Sequence, residues 1–163
     1  MKNTTKRIVF AILIIINCVT IFYFSHQVAS DSSMQSRRIV NFICNIIPIL
    51  RNFEGILTTI VRKIAHFSIY AMLGLLTTNL MLTIENEKMN KRALYALAFC
   101  FIYAISDEFH QTFIPGRSGE IRDVLIDTLG ALTGILLVVA VTTITRKIKS
   151  KNNLERNMLE NKN

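Results

Sequence analysis

The sequence predicts an all-α integral membrane bundle of four transmembrane helices, with an amphipathic interfacial segment between the first and second spans. Three observations carry that prediction. Hydrophobic residues make up 51% of the 163 positions, although the formal charge is +8. The apolar residues are gathered into long runs rather than dispersed. Lysines and arginines stand at the ends of those runs, the distribution of a polytopic membrane protein. A nucleic-acid binder gathers its cations into one stripe or face, so no nucleic-acid partner is expected.

The elements follow in order within a single domain over residues 1–163. Lys2, Lys6 and Arg7 precede an apolar run that reads as a first span over residues 8–24. Bulky Phe22, Tyr23 and Phe24 stand where a signal peptide would have small residues, so the span reads as uncleaved. Residues 25–63 form an outer loop that begins with a polar, serine-rich stretch in which His26 reads as solvated. After Arg37 and Arg38, the residues Ile39, Phe42, Ile43, Ile46 and Ile47 recur at helical spacing. Pro48 interrupts them, which leaves pieces too short to span and suited to lie at the interface. A second span is expected over 64–84, a third over 93–113 and a fourth over 124–144. The connector "ENEKMNKR" is short and polar, and the basic tail 145–163 reads as a solvated end. Cys18, Cys44 and Cys100 show no C-x-x-C spacing, which points to neither a disulfide framework nor a zinc knuckle.

The third span raises the functional question. From Ala93 to Ser106 there are 14 residues, about 21 Å of helix against a hydrocarbon core of about 30 Å. Continuation to Phe113 gives about 31 Å, but it carries Asp107, Glu108, His110 and Gln111 into the outer end of the helix. A charge at the bilayer centre costs about 2.5–3.5 kcal/mol on insertion scales and less near the interface, and it normally faces partners inside the bundle. With both termini inside, Arg62, Lys63 and His66 lie at the same depth, as do Arg117, Arg122, Asp123 and Asp127. Arg62 with His66, Asp107 with Gln111, and Asp123 with Asp127 are each four apart and share a helical face. These residues are expected to form one outer-leaflet polar site, in which Asp107 and Arg62 offset one another's burial and Asp123 accepts from Arg122 or Arg117. Asp127 lies about 6 Å deeper than Asp123 and begins a face that continues through Gly130 and Gly134, a G-x-x-x-G spacing that permits close helix contact.

Three chemistries suit such a cluster. Four basic residues against five acidic ones is the balance of a structural ion-pair network. Arginines beside a membrane equally suit the phosphate or carboxylate of a lipid head group. His66, His110, Asp107, Glu108 and Asp123 are also of the types that ligate metal or act as a general base. No H-E-x-x-H or comparable metal spacing is present, and Ser68, two residues from His66, faces away from it. No metal, cofactor or catalytic residue is therefore assigned from spacing.

The stretches "FSHQ" at 24–27, "RKIAHF" at 62–67 with Tyr70 and Gly74 beyond, and "DEFHQTFIPGR" at 107–117 followed by Asp123, Gly130 and Gly134, resemble the VanZ-like family of small polytopic bacterial membrane proteins. The resemblance covers about residues 8–145. Two positions depart from the family pattern, His26 where serine is common and Asp127 where asparagine is common. The resemblance implies a multi-pass plasma-membrane protein connected with low-level resistance to teicoplanin and similar glycopeptides. The function expected is a non-enzymatic envelope protein whose partners are membrane lipids and, beyond them, cell-wall lipid precursors or lipoglycopeptides. The alternative is a membrane-embedded metal- or acid/base-dependent enzyme acting on a lipid-linked head group.

Orientation follows from the cations. Both termini inside places 12 lysines and arginines in cytoplasmic segments and 7 in outer ones, the sense of the positive-inside rule. A reporter fused after Asn163 is expected to behave as cytoplasmic and one inserted near Ser33 as extracytoplasmic. The reverse pattern places the polar cluster on the cytoplasmic face.

Overall fold

In a computed structural model, which describes residues 2–84 and 88–160, the chain is all-helical, with no strand among the described residues. Its helices are α1 (Lys2–Ser25), α2 (Ala29–Ile46), α3 (Glu54–Leu82), α4 (Met89–Gln111) and α5 (Ile121–Glu160), with a 3₁₀ turn at Pro48–Phe53 leading into α3. Residues 85–87 of the polar connector and 161–163 of the tail lie outside the described residues. Three stretches are long and apolar enough to cross a membrane: Asn3–Ser25, Pro48–Leu82 and Ile121–Asn157. Helix α4 is not among them, because Lys91, Arg92, Asp107 and Glu108 lower its hydropathy although its 23 residues reach about 34 Å.

Several of the expected boundaries move. Helix α2 begins at Ala29, inside the stretch read as a polar loop. Its serines are poor helix formers, but Ser36 turns its hydroxyl onto the Ser32 carbonyl and is itself buried, and Val40 and Cys44 are buried on the same side. Tertiary packing against α3 outweighs propensity there. Helix α3 starts ten residues before the expected Ile64, because Arg62 and Lys63 lie within a continuing helix rather than at its end. Helix α4 stops at Gln111, and 3₁₀-type bonds carry the chain through Phe113 to the turn at Gly116, whose φ of +76° suits glycine. The tail is helical as far as Glu160, where α5 ends, and it is exposed through Asn157. It contains no glycine or proline after Gly134, and Lys151 and Glu155 pair one turn apart at 3.9 Å.

Contacts define the two ends of the bundle. At one end the terminus of α1 meets the terminus of α4, with Ser25 bonded to Asp107, beside the first half of α3 and the start of α5. At the other, Arg7 of α1 bonds Thr83 just beyond α3, and Arg92 at the start of α4 bonds the Ile84 carbonyl. Helices α1 and α4 thus run toward the polar end, and α3 and α5 run away from it. Ile14, Ile21, Tyr70, Leu73, Cys100, Ala104 and Ala131 form the core. Tyr103 ties α4 to α1 through the Cys18 carbonyl. All three cysteines are free. Ile12, Ile16, Val19, Ile102, Leu137 and Val141 point outward, a surface that hydrocarbon covers without penalty.

Helices α3 and α5 meet backbone to backbone. A Cβ on Gly74 would overlap the Ala131 carbonyl, one on Gly130 the Phe67 carbonyl, and one on Gly134 the Ala71 carbonyl. The expected close contact at Gly130 and Gly134 is therefore present, with α3 as the partner. Gly55, by contrast, faces open space. Gly74→Ala, Gly130→Ala and Gly134→Ala are each expected to destabilise by about 1–3 kcal/mol, whereas Gly55→Ala is neutral or stabilising by up to about 1 kcal/mol. Melting temperatures in detergent check this, and an unchanged value for Gly130→Ala would contradict the contact.

Candidate functional site

The polar end gathers side chains from four helices. Asp107, 5% exposed, receives a hydrogen bond from the buried Ser25 hydroxyl at 2.9 Å and another from Gln111 Nε2 at 3.3 Å. Gln111 sits one turn beyond Asp107 on the same face of α4, as the spacing required. Its carbonyl oxygen accepts from Arg117 Nη1 at 2.9 Å, and Arg117 Nη2 donates to the Phe24 carbonyl at 3.1 Å. The loop arginine is thereby clamped between the ends of α1 and α4. Partial burial and the neighbouring Arg62 charge lower its pKa from the usual guanidinium value, while Asp107, Glu108 and Asp123 act in the opposite sense. It stays protonated, as a guanidinium does in proteins.

Expected pairings are redistributed. Asp107 does not pair with Arg62, because Ser25 and Gln111 already occupy it. Asp123 pairs with Lys63 at 2.9 Å rather than with Arg122 or Arg117. The reason is geometric: α3 lies against α5, and Lys63 reaches across that interface. Arg122 is exposed and does not line the polar cavity. Glu108 is buried, and its Oε1 accepts from the Glu120 N–H at the start of α5, where a helix has unpaired donors. It fastens the loop. His110 does not join these bonds; its Nε2 lies 3.2 Å from Nδ1 of His26, and the two rings stack beside Phe22. His26 is exposed but not simply solvated.

Deeper in the bundle, His66 Nδ1 lies 3.6 Å from Asp127 Oδ1, an ion-pair distance too long for a hydrogen bond. Asp127 is 1% exposed. Neither of its carboxylate oxygens has a hydrogen-bond partner among the described residues, nor does the buried Tyr70 hydroxyl. One ligand atom from each of His66, Asp107 and Asp127 lies within 4.8 Å of the others. No sequence spacing announced this trio, because each member comes from a different helix.

Two cavities meet at this cluster. A polar one of about 160 Å³ is lined by Arg62, His66, Gln111, Arg117 and Asp123 together with the loop at Gly116, Ser118 and Glu120. A mainly apolar one of about 290 Å³ opens between α1, α2 and α3, with Ile21, Phe24, Ile39, Val61, Ala65 and Ile69 in its walls. Arg62 and His66 line both. Ser25 and Tyr70 were missed as site residues. Ser25 stood inside the "FSHQ" stretch, and Tyr70 is four residues beyond His66 on the same face, so both carried a signal.

Removing the Ser25 hydroxyl leaves Asp107 short of a donor inside the bundle. Ser25→Ala is expected to cost about 1–3 kcal/mol. Ser68→Ala, which removes only a bond to its own helix at Ile64, stays within about 0.5 kcal/mol. Paired thermal denaturation of the two variants in the same detergent checks this, and equal melting temperatures would mean that water replaces the serine.

No curated protein and no solved structure matches the chain significantly. The family model described as VanZ/LLP1 matches residues 10–143. That range takes in the end of α1, the polar faces of α3 and α4, and the glycine-bearing part of α5, and with the apolar helices it supports a place in the membrane. On this match over most of its length, the chain belongs to the VanZ/LLP1 family.

Proposed function

We propose that this protein is a four-span cell-membrane protein with both termini cytoplasmic, whose outer-face cavity binds the phosphate-bearing head group of a lipid or lipid-linked envelope component. Membership of the family suggests a role of the teicoplanin-resistance type, and occupancy of the cavity by an envelope lipid is how this chain contributes to glycopeptide tolerance. Helix α4 completes the four as the third span in chain order, its acidic end shielded by Ser25, Gln111 and the Glu120 backbone.

The observation that carries this reading is Arg62. It lines the polar cavity opposite Arg117, and it has no hydrogen-bond or ion-pair partner among the described residues. Three neighbouring carboxylates have partners of their own, Asp123 in Lys63, Glu108 through one oxygen in the Glu120 N–H, and Asp107 in Ser25, while Glu120 lies in the cavity wall. Two guanidiniums facing one small cavity repel each other unless an anion lies between them, and their planar donors match phosphate oxygens. The apolar cavity on the other side of Arg62 and His66 suits an acyl chain attached to that head group.

A second reading, a chemical step on the bound head group, is favoured by the position of His66, which lines both cavities. Product analysis after incubation with a lipid-linked substrate separates it from simple binding.

The test is binding of short-chain phosphatidylglycerol to the purified full-length protein, with phosphatidylcholine as the zwitterionic control. Arg62→Gln and Arg117→Gln are each expected to weaken binding by about 10- to 100-fold, the loss of one charge-assisted contact, and to reduce teicoplanin tolerance at matched membrane levels. Arg122→Gln, on the exposed side, should retain both. Equal binding by all three variants would overturn the reading.

A further inference from the structure

We propose that His66, Asp107 and Asp127 form a binding site for one first-row divalent metal ion, of which Zn²⁺ and Mn²⁺ are the probes. The three side chains come from α3, α4 and α5 and converge below the polar cavity, with one candidate ligand atom from each within 4.8 Å of the others. An imidazole nitrogen with two carboxylate oxygens is a donor set that borderline divalent cations accept.

A second observation points to a ligand here. Asp127 is 1% exposed and Tyr70 0%, yet both Asp127 carboxylate oxygens and the Tyr70 hydroxyl lack hydrogen-bond partners among the described residues. Buried polar atoms are almost always paired, and a buried carboxylate with both oxygens unmatched, within 4.8 Å of a second carboxylate and an imidazole, calls for a cation. The charges also agree. Two carboxylates, a neutral imidazole and a divalent ion sum to zero, which is the least costly total in a low-dielectric interior. Arg62 and Arg117 lie above, along the cavity that His66 shares, so the ion does not displace them from their own anion.

Geometry permits the assignment. Ligand atoms at about 2.1 Å from a tetrahedral ion lie about 3.4 Å apart, so atoms within 4.8 Å of one another need close by no more than about 1.4 Å. Ser25 and Gln111, which donate to Asp107 Oδ2, orient that carboxylate as outer partners orient metal ligands elsewhere. Three protein ligands leave one position open in a four-coordinate site, and one of the three, His66, also lines the polar cavity. The site stands without the lipid reading, since an ion can bind whether or not a head group follows. If that reading holds, the ion adds positive charge beneath the phosphate.

The experiment uses the full-length protein in detergent, stripped with EDTA and desalted, then titrated with ZnCl₂ by calorimetry and with MnCl₂ by loss of the free-ion paramagnetic resonance signal. No lipid ligand is added, so the outcome is independent of phosphate binding. His26 and His110 form an exposed imidazole pair that could itself take an ion, so every chain carries His26→Ala and His110→Ala. One saturable ion per chain is expected, weakened at least tenfold by Asp127→Asn and by Asp107→Asn. Helical circular dichroism first establishes that each variant is folded. Where a buried aspartate variant is not, His66→Gln, whose side chain is 19% exposed in the parent, provides the same comparison. The assignment is overturned if the parent shows no saturable binding, or if folded Asp127→Asn or His66→Gln binds as tightly as the parent.

Discussion

The backbone contact between α3 and α5 is the constraint on which the rest of the structure rests. Gly130 sits against the Phe67 carbonyl, Gly134 against Ala71 and, from the other side, Gly74 against Ala131. Such a contact leaves no freedom for one helix to slide or rotate on the other. Asp127 lies three residues before Gly130, and His66 one before Phe67, so the seam that locks the helices also sets the 3.6 Å separation of those two side chains. A hydrocarbon environment offers no hydrophobic driving force between helices, so close van der Waals packing of this kind is what holds them.

The polar end then shows how a membrane protein places many ionisable groups at one depth. Some are bound into the scaffold: Glu108 holds the start of α5, Lys63 joins α3 to α5 through Asp123, and Asp107 takes its donors from Ser25 and Gln111. The Lys63–Asp123 pair keeps partial contact with the surroundings, which limits both its desolvation and its strength. What remains after these pairings is directional. Arg62 and Arg117 face a cavity, and Asp127 faces inward with its oxygens unmatched. The surplus positive and surplus negative groups are separated by His66, which borders both.

Helix α2 adds the apolar half of the site. The Ala29 N–H bonds the Pro115 carbonyl at 3.4 Å, so the start of α2 is tied to the loop that carries Arg117. From there α2 packs on α3 through Ser36, Val40 and Cys44 and leaves Phe42, Ile46 and Ile49 exposed nearby. An amphipathic helix in this position both walls the cavity and offers an apolar face to the interface.

The sequence alone determined much of this. Long apolar runs could only be helices, because a spanning segment must satisfy its backbone internally. The shortness of the third apolar run required Asp107, Glu108 and Gln111 to sit inside its end, and four-residue spacings placed His66 beside Arg62 and Asp127 beside Asp123. The G-x-x-x-G spacing indicated where a close contact would form. Only the tertiary structure decided who meets whom: Lys63 rather than Arg117 for Asp123, Ser25 rather than Arg62 for Asp107, and His26 for His110. Helical periodicity assigns a residue to a face of its own helix, but it says nothing about how that helix is rotated against its neighbours. Chemically equivalent arginines, lysines and aspartates at one depth are interchangeable to any reading of spacing. The glycine seam between α3 and α5 removes that freedom, and the rotation it imposes selects the pairs.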